Sequence, residues 1–501
     1  MKPLPPDTPE QALITQYKGS LLVVRAYAGT GKTTTLVKYA HNNLNSRILY
    51  IAYNRGIRDE AREKFPANVD CKTSHQLAYA TIGRSYQHKL TGNLRLTDIA
   101  QAVDTKNWTI AKDILDTLNA FMSSADFRIL YTHFARADTG KVLTTKQTQY
   151  ISQVVEGAEF VWSKMTTPED PFPTVHDCYL KQYQLGMPNL SRRYTTILFD
   201  EAQDSNPVTS SIVLQQHCKV ILVGDRHQQI YRFRGANNAL DSKDLAGADQ
   251  LYLTHSWRFG RNVAIVANAL LELKGETLPV VGRGASDQVV MFLPQDVGHR
   301  TVIHRTVMGV IETALAATAK GKKVYWVGGI DAYQINELQD IYWYAMAAPD
   351  RVRNKKLLDD FQDYGEYQEV AKATKDPEMS RAIKIIGSYD SLPDLLTLLR
   401  LNTVKEEFGA DITVSTAHRC KGLEWDNVQL YDDFPDVLDP ELDITTRDDE
   451  INLLYVASTR AMRVLALNSA VEMVIRYITH KRLVEKQMKL AAEATEGGAT
   501  Q

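Results

Sequence analysis

A short apolar run, Leu21-Leu22-Val23-Val24, leads straight into Ala26-Tyr27-Ala28-Gly29-Thr30-Gly31-Lys32-Thr33, and a helical stretch from Thr34 to Leu44 follows. A strand, a glycine-bearing turn and a helix in that order give a phosphate-binding loop its structural context. Successive backbone N–H groups of such a turn form a concave anion site, and the helix N-terminus adds its dipole. Ala28, Gly29, Thr30, Gly31 and Thr34 would cradle the phosphates, with Lys32 reaching the β/γ oxygens and the Thr33 hydroxyl on Mg²⁺. Ala26 stands where such loops usually carry their first glycine. The loop does not say what phosphate chemistry would drive.

The rest of the chain is long enough to say more. At 501 residues it should divide into roughly three or four domains or subdomains. Hydrophobic and charged fractions of 44% and 24% are those of a soluble globular protein. A net charge of −2 gives no global positive field, so any nucleic-acid binding must come from a local groove. Cys71, Cys178, Cys218 and Cys420 are far apart, which argues against a zinc site or disulfide framework and fits a reducing compartment. No stretch is apolar enough for a signal or membrane segment, so a soluble intracellular protein is expected, cytoplasmic or nucleoid-associated, or nuclear in a eukaryote.

Two series of short β-branched runs alternate with helical stretches, the pattern of βαβ units and parallel sheets. The first comprises Leu21–Arg25, Arg47–Tyr53, Thr195–Asp200, Lys219–Asp225 and Gln250–Thr254. The second comprises Thr301–His304, Lys323–Val327, Asp411–Thr416, Asn427–Asp432 and Arg463–Asn468. The expected organisation is a first lobe over 1–76 and 192–257 and a second over 258–348 and 406–480. Helical inserts are expected over 77–191 and 349–405, the latter with helical patterning in Lys355–Tyr364 and Leu392–Leu401, and a fraying tail over 481–501.

Asp200-Glu201-Ala202-Gln203-Asp204 closes one of these strands, and a carboxylate at a strand C-terminus faces the ligand crevice in such folds. Asp200 is placed to hold Mg²⁺ and Glu201 to polarise an attacking water. Farther on, Val223-Gly224-Asp225-Arg226-His227-Gln228-Gln229-Ile230-Tyr231-Arg232-Phe233-Arg234 ends a strand in Gly-Asp and then alternates aromatics with arginines. Gln228 can sense a terminal phosphate by hydrogen bond. Rings interleaved with arginines make a stacking platform for unpaired bases. An edge strand with solvated arginines and buried rings would use the same residues.

In this order the residues resemble the UvrD-like superfamily 1 DNA helicases over nearly the whole chain. Thr8-Pro9-Glu10-Gln11 resembles the family's adenine-recognition motif, with Gln11 reading the base. The family commonly uses alanine at the position of Ala26. Ile51-Ala52-Tyr53-Asn54 and Thr73-Ser74-His75 look like DNA-contacting motifs, and Ser256-Trp257-Arg258 like the motif that stacks an aromatic on adenine and sets an arginine on the γ-phosphate. Val414-Ser415-Thr416-Ala417-His418-Arg419-Cys420-Lys421-Gly422-Leu423-Glu424-Trp425 is similar to motif V, with Glu424 at the ribose contact. Leu454-Tyr455-Val456-Ala457-Ser458-Thr459-Arg460-Ala461 resembles motif VI, whose Arg460 acts as a finger across the cleft. Within the family, Cys71-Lys72-Thr73, Ser124-Ala125-Asp126 and His176-Asp177-Cys178-Tyr179-Leu180-Lys181 resemble the F-box DNA helicases. The phosphate loop begins close to Met1, so no F-box and no ubiquitin-ligase partner are expected.

The resemblance implies an α/β fold of two tandem RecA-like P-loop NTPase lobes, parallel sheets flanked by helices, each with a helical inserted subdomain. It implies ATP and Mg²⁺ as cofactors, single-stranded and duplex DNA as partners, and 3′→5′ movement coupled to unwinding in repair or recombination. Lys32, Glu201, Gln228, Arg258 and Arg460 would be catalytic, Thr33 and Asp200 would hold the metal, and Gln11, Trp257 and Glu424 would complete the nucleotide site. DNA would be met by Tyr53, His75, Tyr231, Phe233, Arg234 and His418, although the aromatics could equally be core rings and the histidines satisfied core residues. Recombination or replication proteins are candidate partners, and a monomer is the favoured state. Two other readings stay open: a single-strand translocase that strips bound proteins with little unwinding, and a nucleotide-gated DNA-binding protein.

Overall fold

A computed structural model describes residues 6–134, 143–232, 238–294, 297–374, 376–389 and 391–497, so Phe233 and Arg234 lie outside the described residues. The chain is organised by two parallel sheets. The first contains β1 (Leu21–Ala26), β2 (Ile48–Ala52) and β3 (Val69–Thr73). Next in the chain come β4 (Leu90–Thr91) and β5 (Thr174–Val175), which pair only with each other. The first sheet resumes with β6 (Thr196–Phe199), β7 (Lys219–Gly224) and β8 (Asp249–Leu253), in the order β3-β2-β6-β7-β1-β8.

Every pairing in that sheet is parallel. Parallel strands are covered by helices on both faces, so the central ones read as unbroken apolar runs. Ile48-Leu49-Tyr50-Ile51-Ala52 and Thr196-Ile197-Leu198-Phe199 are buried throughout. Leu22, Val24, Leu36, Tyr50 and Ile221 form the core on one face, and Val23, Leu49, Ile51, Ile197 and Leu222 on the other. Strand β3, not among the expected strands, is an edge strand whose Asp70 and Lys72 keep one side polar and so break the apolar pattern.

Beyond β8, β9 (His255–Ser256) pairs in parallel with β10 (Val281–Gly282) at the junction between the lobes. The second sheet contains β11 (Gln288–Val290), β12 (Arg300–His304), β13 (Val324–Trp326), β14 (Thr403–Val404), β15 (Ile412–Thr416), β16 (Trp425–Leu430) and β17 (Ala461–Ala466). Its order is β11-β17-β16-β12-β15-β13-β14, again parallel throughout.

The insert between β3 and β6 packs helices Trp108–Ser123, Thr145–Thr166 and His176–Leu185 around Ile114, Leu118, Phe121, Val154, Ala158 and Val161. Fully buried Lys181 holds its near end, donating to the carbonyl of Ser124 at 2.8 Å and to Gln184 Oε1 at 2.9 Å over the Phe121 ring.

The second insert departs from its expected pattern. The helix expected over Lys355–Tyr364 stops at Asp360, and a new one, Tyr364–Thr374, begins where Asp363 accepts from the Glu366 N–H at 2.8 Å. Two more helices follow, Pro377–Ser388 and Leu392–Asn402. Strand β14 then falls inside the range expected to be insert. The residues from Lys481, expected to fray, continue the helix Ser469–Gly497, for the stretch from Leu483 to Ala494 is rich in strong helix formers. Among the described residues no helix is long and apolar enough to cross a membrane.

Candidate nucleotide site and nucleic-acid interface

The turn after β1 is shaped by two glycines. Gly31 sits at φ +79° and begins the helix Lys32–His41 with no side chain capping it, which leaves first-turn N–H groups for an anion. Gly29 sits at φ +72°, and a Cβ there would stand 2.5 Å from Ser256 Oγ and 2.6 Å from Arg258 Cβ. Only glycine allows the junction strand so close. Trp257 closes the contact by donating its backbone N–H to Gly29 O at 2.9 Å, and the residue is about half exposed. Gln11 is buried, with Nε2 3.4 Å from where a Cβ on Gly31 would stand. Its oxygen accepts from Lys38 Nζ at 3.1 Å and from the Thr8 N–H at 3.2 Å. Thr34 lies in the first helical turn, and Thr30 Oγ1 braces the loop on Tyr27 O at 2.8 Å.

The acidic pair emerges from β6. Asp200 accepts from the Thr33 hydroxyl at 2.9 Å, the Tyr50 hydroxyl at 2.8 Å and the Glu201 N–H at 2.9 Å. A hydroxyl and a carboxylate in contact form the oxygen-only donor set that suits Mg²⁺. Burial and the charge of Glu201 push the Asp200 carboxyl above the usual carboxylate range, a cost that a bound divalent cation would offset. Glu201 is a non-glycine residue at φ +50°, a strained backbone of the kind found at functional sites. Burial opposes its charge, but Lys32, 3.5 Å away, and Lys421 outweigh that and keep it ionised well below the usual range. Burial also works against the Lys32 ammonium, and Glu201, Asp225 and Asp200 together hold its pKa above the ordinary lysine value.

The second lobe reaches over this site. Arg460 is fully buried at the end of helix Ile444–Ser458 and donates to Val456 O at 2.9 Å, Leu423 O at 3.1 Å and Gln228 Oε1 at 3.4 Å. Burial and the neighbouring Arg258 bring its pKa down to about 10, so it stays charged at neutral pH. The amide of Gln228 is oriented from its other end by Asp225 at 2.7 Å. Arg258 donates to Glu424 at 2.7 Å and to Thr459 O at 3.3 Å. Lys32, Glu201, Gln228, Arg258 and Arg460 therefore line one cleft, together with Lys421. Glu424, expected at a ribose, pairs here with the arginine.

Three of the residues expected at DNA also gather. Tyr53 and Tyr231 stack with centroids 5.7 Å apart and planes at 15°. The Tyr231 hydroxyl donates to the backbone carbonyl of His418 at 3.0 Å, and Lys421 lies over the Tyr231 ring. His75 does not join them; it pairs with Asp177 of the first insert at 2.9 Å. Reading residue types alone assigned no task to Lys421, Asp204, Tyr50 or Tyr455. Lys421 bonds both the Asp204 carboxylate and the Gln228 carbonyl, tying the second lobe to the first. The signal for Lys421 and Tyr455 was membership of motifs V and VI, whereas nothing in the sequence marked Tyr50.

Two parallel-sheet lobes that both line one cleft beside the loop after β1 have the architecture of a P-loop NTPase of tandem RecA-like lobes. Residues 7–244 match the UvrD/REP helicase N-terminal domain and residues 301–472 the UvrD-like helicase C-terminal domain, so the chain belongs to the UvrD-like helicase family. It is similar to F-box DNA helicase 1 of Gallus gallus, 32% identical over 93% of this chain and 49% of that protein. It is similar too to F-box DNA helicase protein 1 of Schizosaccharomyces pombe, 32% identical over 93% of this chain and 57% of that protein. The ATP-dependent DNA helicase PcrA of Leuconostoc citreum is 26% identical over 57% of this chain and 42% of its own length. The chain spans about half the length of these relatives.

Proposed function

We propose that the chain is an ATP-driven motor that moves 3′→5′ along single-stranded DNA and separates duplex ahead of it, in repair or recombination. One observation carries the reading. Supporting it, the stretch from Asp225 to Tyr231 carries both Gln228, beside Arg460, and Tyr231, on the aromatic stack, and each of these two residues bonds to the second lobe.

In the proposed reaction Lys32 neutralises charge on the β/γ oxygens, and Arg258 and Arg460 stabilise the charge that develops as the terminal phosphoryl leaves. Ionised Glu201 orients the attacking water and accepts its proton. Mg²⁺ held by Thr33 and Asp200 would supply further charge neutralisation there. Gln11 and Trp257 would flank the base.

DNA movement would follow from the aromatic stack. A base held between two rings needs about 7 Å between them, two contact distances, so the Tyr53–Tyr231 pair at 5.7 Å has to open. Tyr53 follows the first lobe, whereas Tyr231 is tethered to His418 in the second, so lobe movement changes the gap. His75, Phe233, Arg234 and the His418 ring would complete the strand path, and affinity should fall steeply with salt. Unwinding of duplexes with a 3′ or a 5′ single-stranded tail tests the reading. Opening of the 3′-tailed substrate alone, with ATP, is expected; opening of neither, or of the 5′-tailed one alone, overturns it.

The compact second insert, with four helices among the described residues of Lys355–Asn402, favours one alternative: translocation that strips bound proteins with little unwinding. Displacement of a recombinase filament without duplex opening would select it.

A further inference from the structure

Tyr455 projects from helix Ile444–Ser458 of the second lobe into the first, where its ring is fully buried and meets His227 edge to face at 6.0 Å. Filling that space needs only the ring. The hydroxyl, however, meets two partners from the opposite lobe. It accepts from the Ala28 N–H of the phosphate loop at 3.1 Å and lies 3.3 Å from Asp225 Oδ2, to which it donates. The same Asp225 oxygen accepts from Gln228 Nε2 at 2.7 Å.

A hydroxyl has one proton, so the bonds run one way, from the loop amide through Tyr455 to the carboxylate that aims Gln228. At 3.3 Å the Tyr455–Asp225 bond is near the long limit, and a small lobe movement makes or breaks it. Tyr455 and Arg460 leave the same helix end, so both reach Gln228 on the same closing motion, one through Asp225 and one directly.

We propose that the Tyr455 hydroxyl is a positioning group that couples phosphate-loop geometry and lobe closure to the orientation of Gln228. The inference rests on the motor reading above. It predicts that losing the hydroxyl uncouples DNA from hydrolysis rather than weakening nucleotide binding.

The test is Tyr455→Phe in the full chain, with ATP affinity, melting temperature and the stimulation of ATPase by single-stranded DNA measured together. Stimulation should fall about tenfold, the size of one buried hydrogen bond to a charged group, with ATP affinity within about twofold. Combining it with Asp225→Asn should cost no more than the worse single variant, because both break one chain of bonds. Should Tyr455→Phe melt well below the parent, Asp225→Asn carries the test on the same readouts. Wild type stimulated by DNA, with the variant stimulated equally or the two substitutions additive, overturns the inference alone. A wild type that DNA does not stimulate overturns the motor reading and this inference with it.

Discussion

Arg258 and Glu424 hold each other across the lobe junction, Nε to Oε2 at 2.7 Å. On the proposed reading, the guanidinium that would meet a terminal phosphate is already engaged by a carboxylate, so nucleotide binding would exchange one anion for the other. Glu424 is half exposed, so the pair is worth up to about 1 kcal/mol. Glu424→Gln should accordingly tighten ATP binding by about two- to fivefold, read by titration with a fluorescent nucleotide. Weaker binding would instead support the expected ribose contact of Glu424.

Arg258→Ala should act on turnover more than on affinity. Losing a positioned cation on developing charge costs roughly 10²–10³ in kcat, with ATP affinity changed less than about tenfold. A loss confined to KM would mean that Arg258 only binds.

Lys421 and Asp204 form the second junction contact. Burial raises the Asp204 carboxyl to about 6 even with Lys421 beside it. Lys421→Met leaves that carboxylate buried and unpaired, which is more damaging than losing both charges. DNA-stimulated ATPase should drop about tenfold or more in Lys421→Met and recover in part in the Lys421→Met, Asp204→Asn double variant. An additive double variant would contradict the pairing.

His304 carries an acid-stability prediction. It ends β12 fully buried, against Tyr431 at 4.5 Å, and neither ring nitrogen has a hydrogen-bond partner among the described residues. Burial depresses its pKa to about 3. Between there and the ordinary histidine value the unfolded chain binds a proton that the folded one refuses, so stability falls as pH drops through that window. The loss approaches about 1.4 kcal/mol per pH unit below about pH 6.5. His304→Leu should lose less stability than wild type between pH 7 and pH 5 in urea unfolding. Equal losses would show that His304 is not the acid-sensitive group.

Much of this was legible because parallel sheets write themselves as apolar runs. Ile48 to Ala52 and Thr196 to Phe199 could hardly be anything else. Edge elements were not: β3 alternates with polar residues, and the break at Asp360 depends on Asp363 starting the next helix. In the site, Lys32, Asp200 and Arg460 stand in runs whose order marks them. The couplings between runs were hidden. Lys421 meets Asp204, and Tyr455 meets Ala28 and Asp225, at sequence separations no local pattern spans. Likewise, residue type alone could make Tyr53 and Tyr231 base stackers or core rings, and only the fold sets them on one another.

The central claim is that one cleft joins nucleotide hydrolysis to a DNA strand. Steady-state ATPase of wild type and Lys32→Ala, with and without single-stranded DNA, tests it most directly. Wild-type turnover should rise about tenfold or more with DNA, a coupling of ordinary size between two sites. Lys32→Ala should bind the strand yet show no stimulated turnover. Wild-type hydrolysis indifferent to DNA, or retained stimulation in Lys32→Ala, would contradict the account.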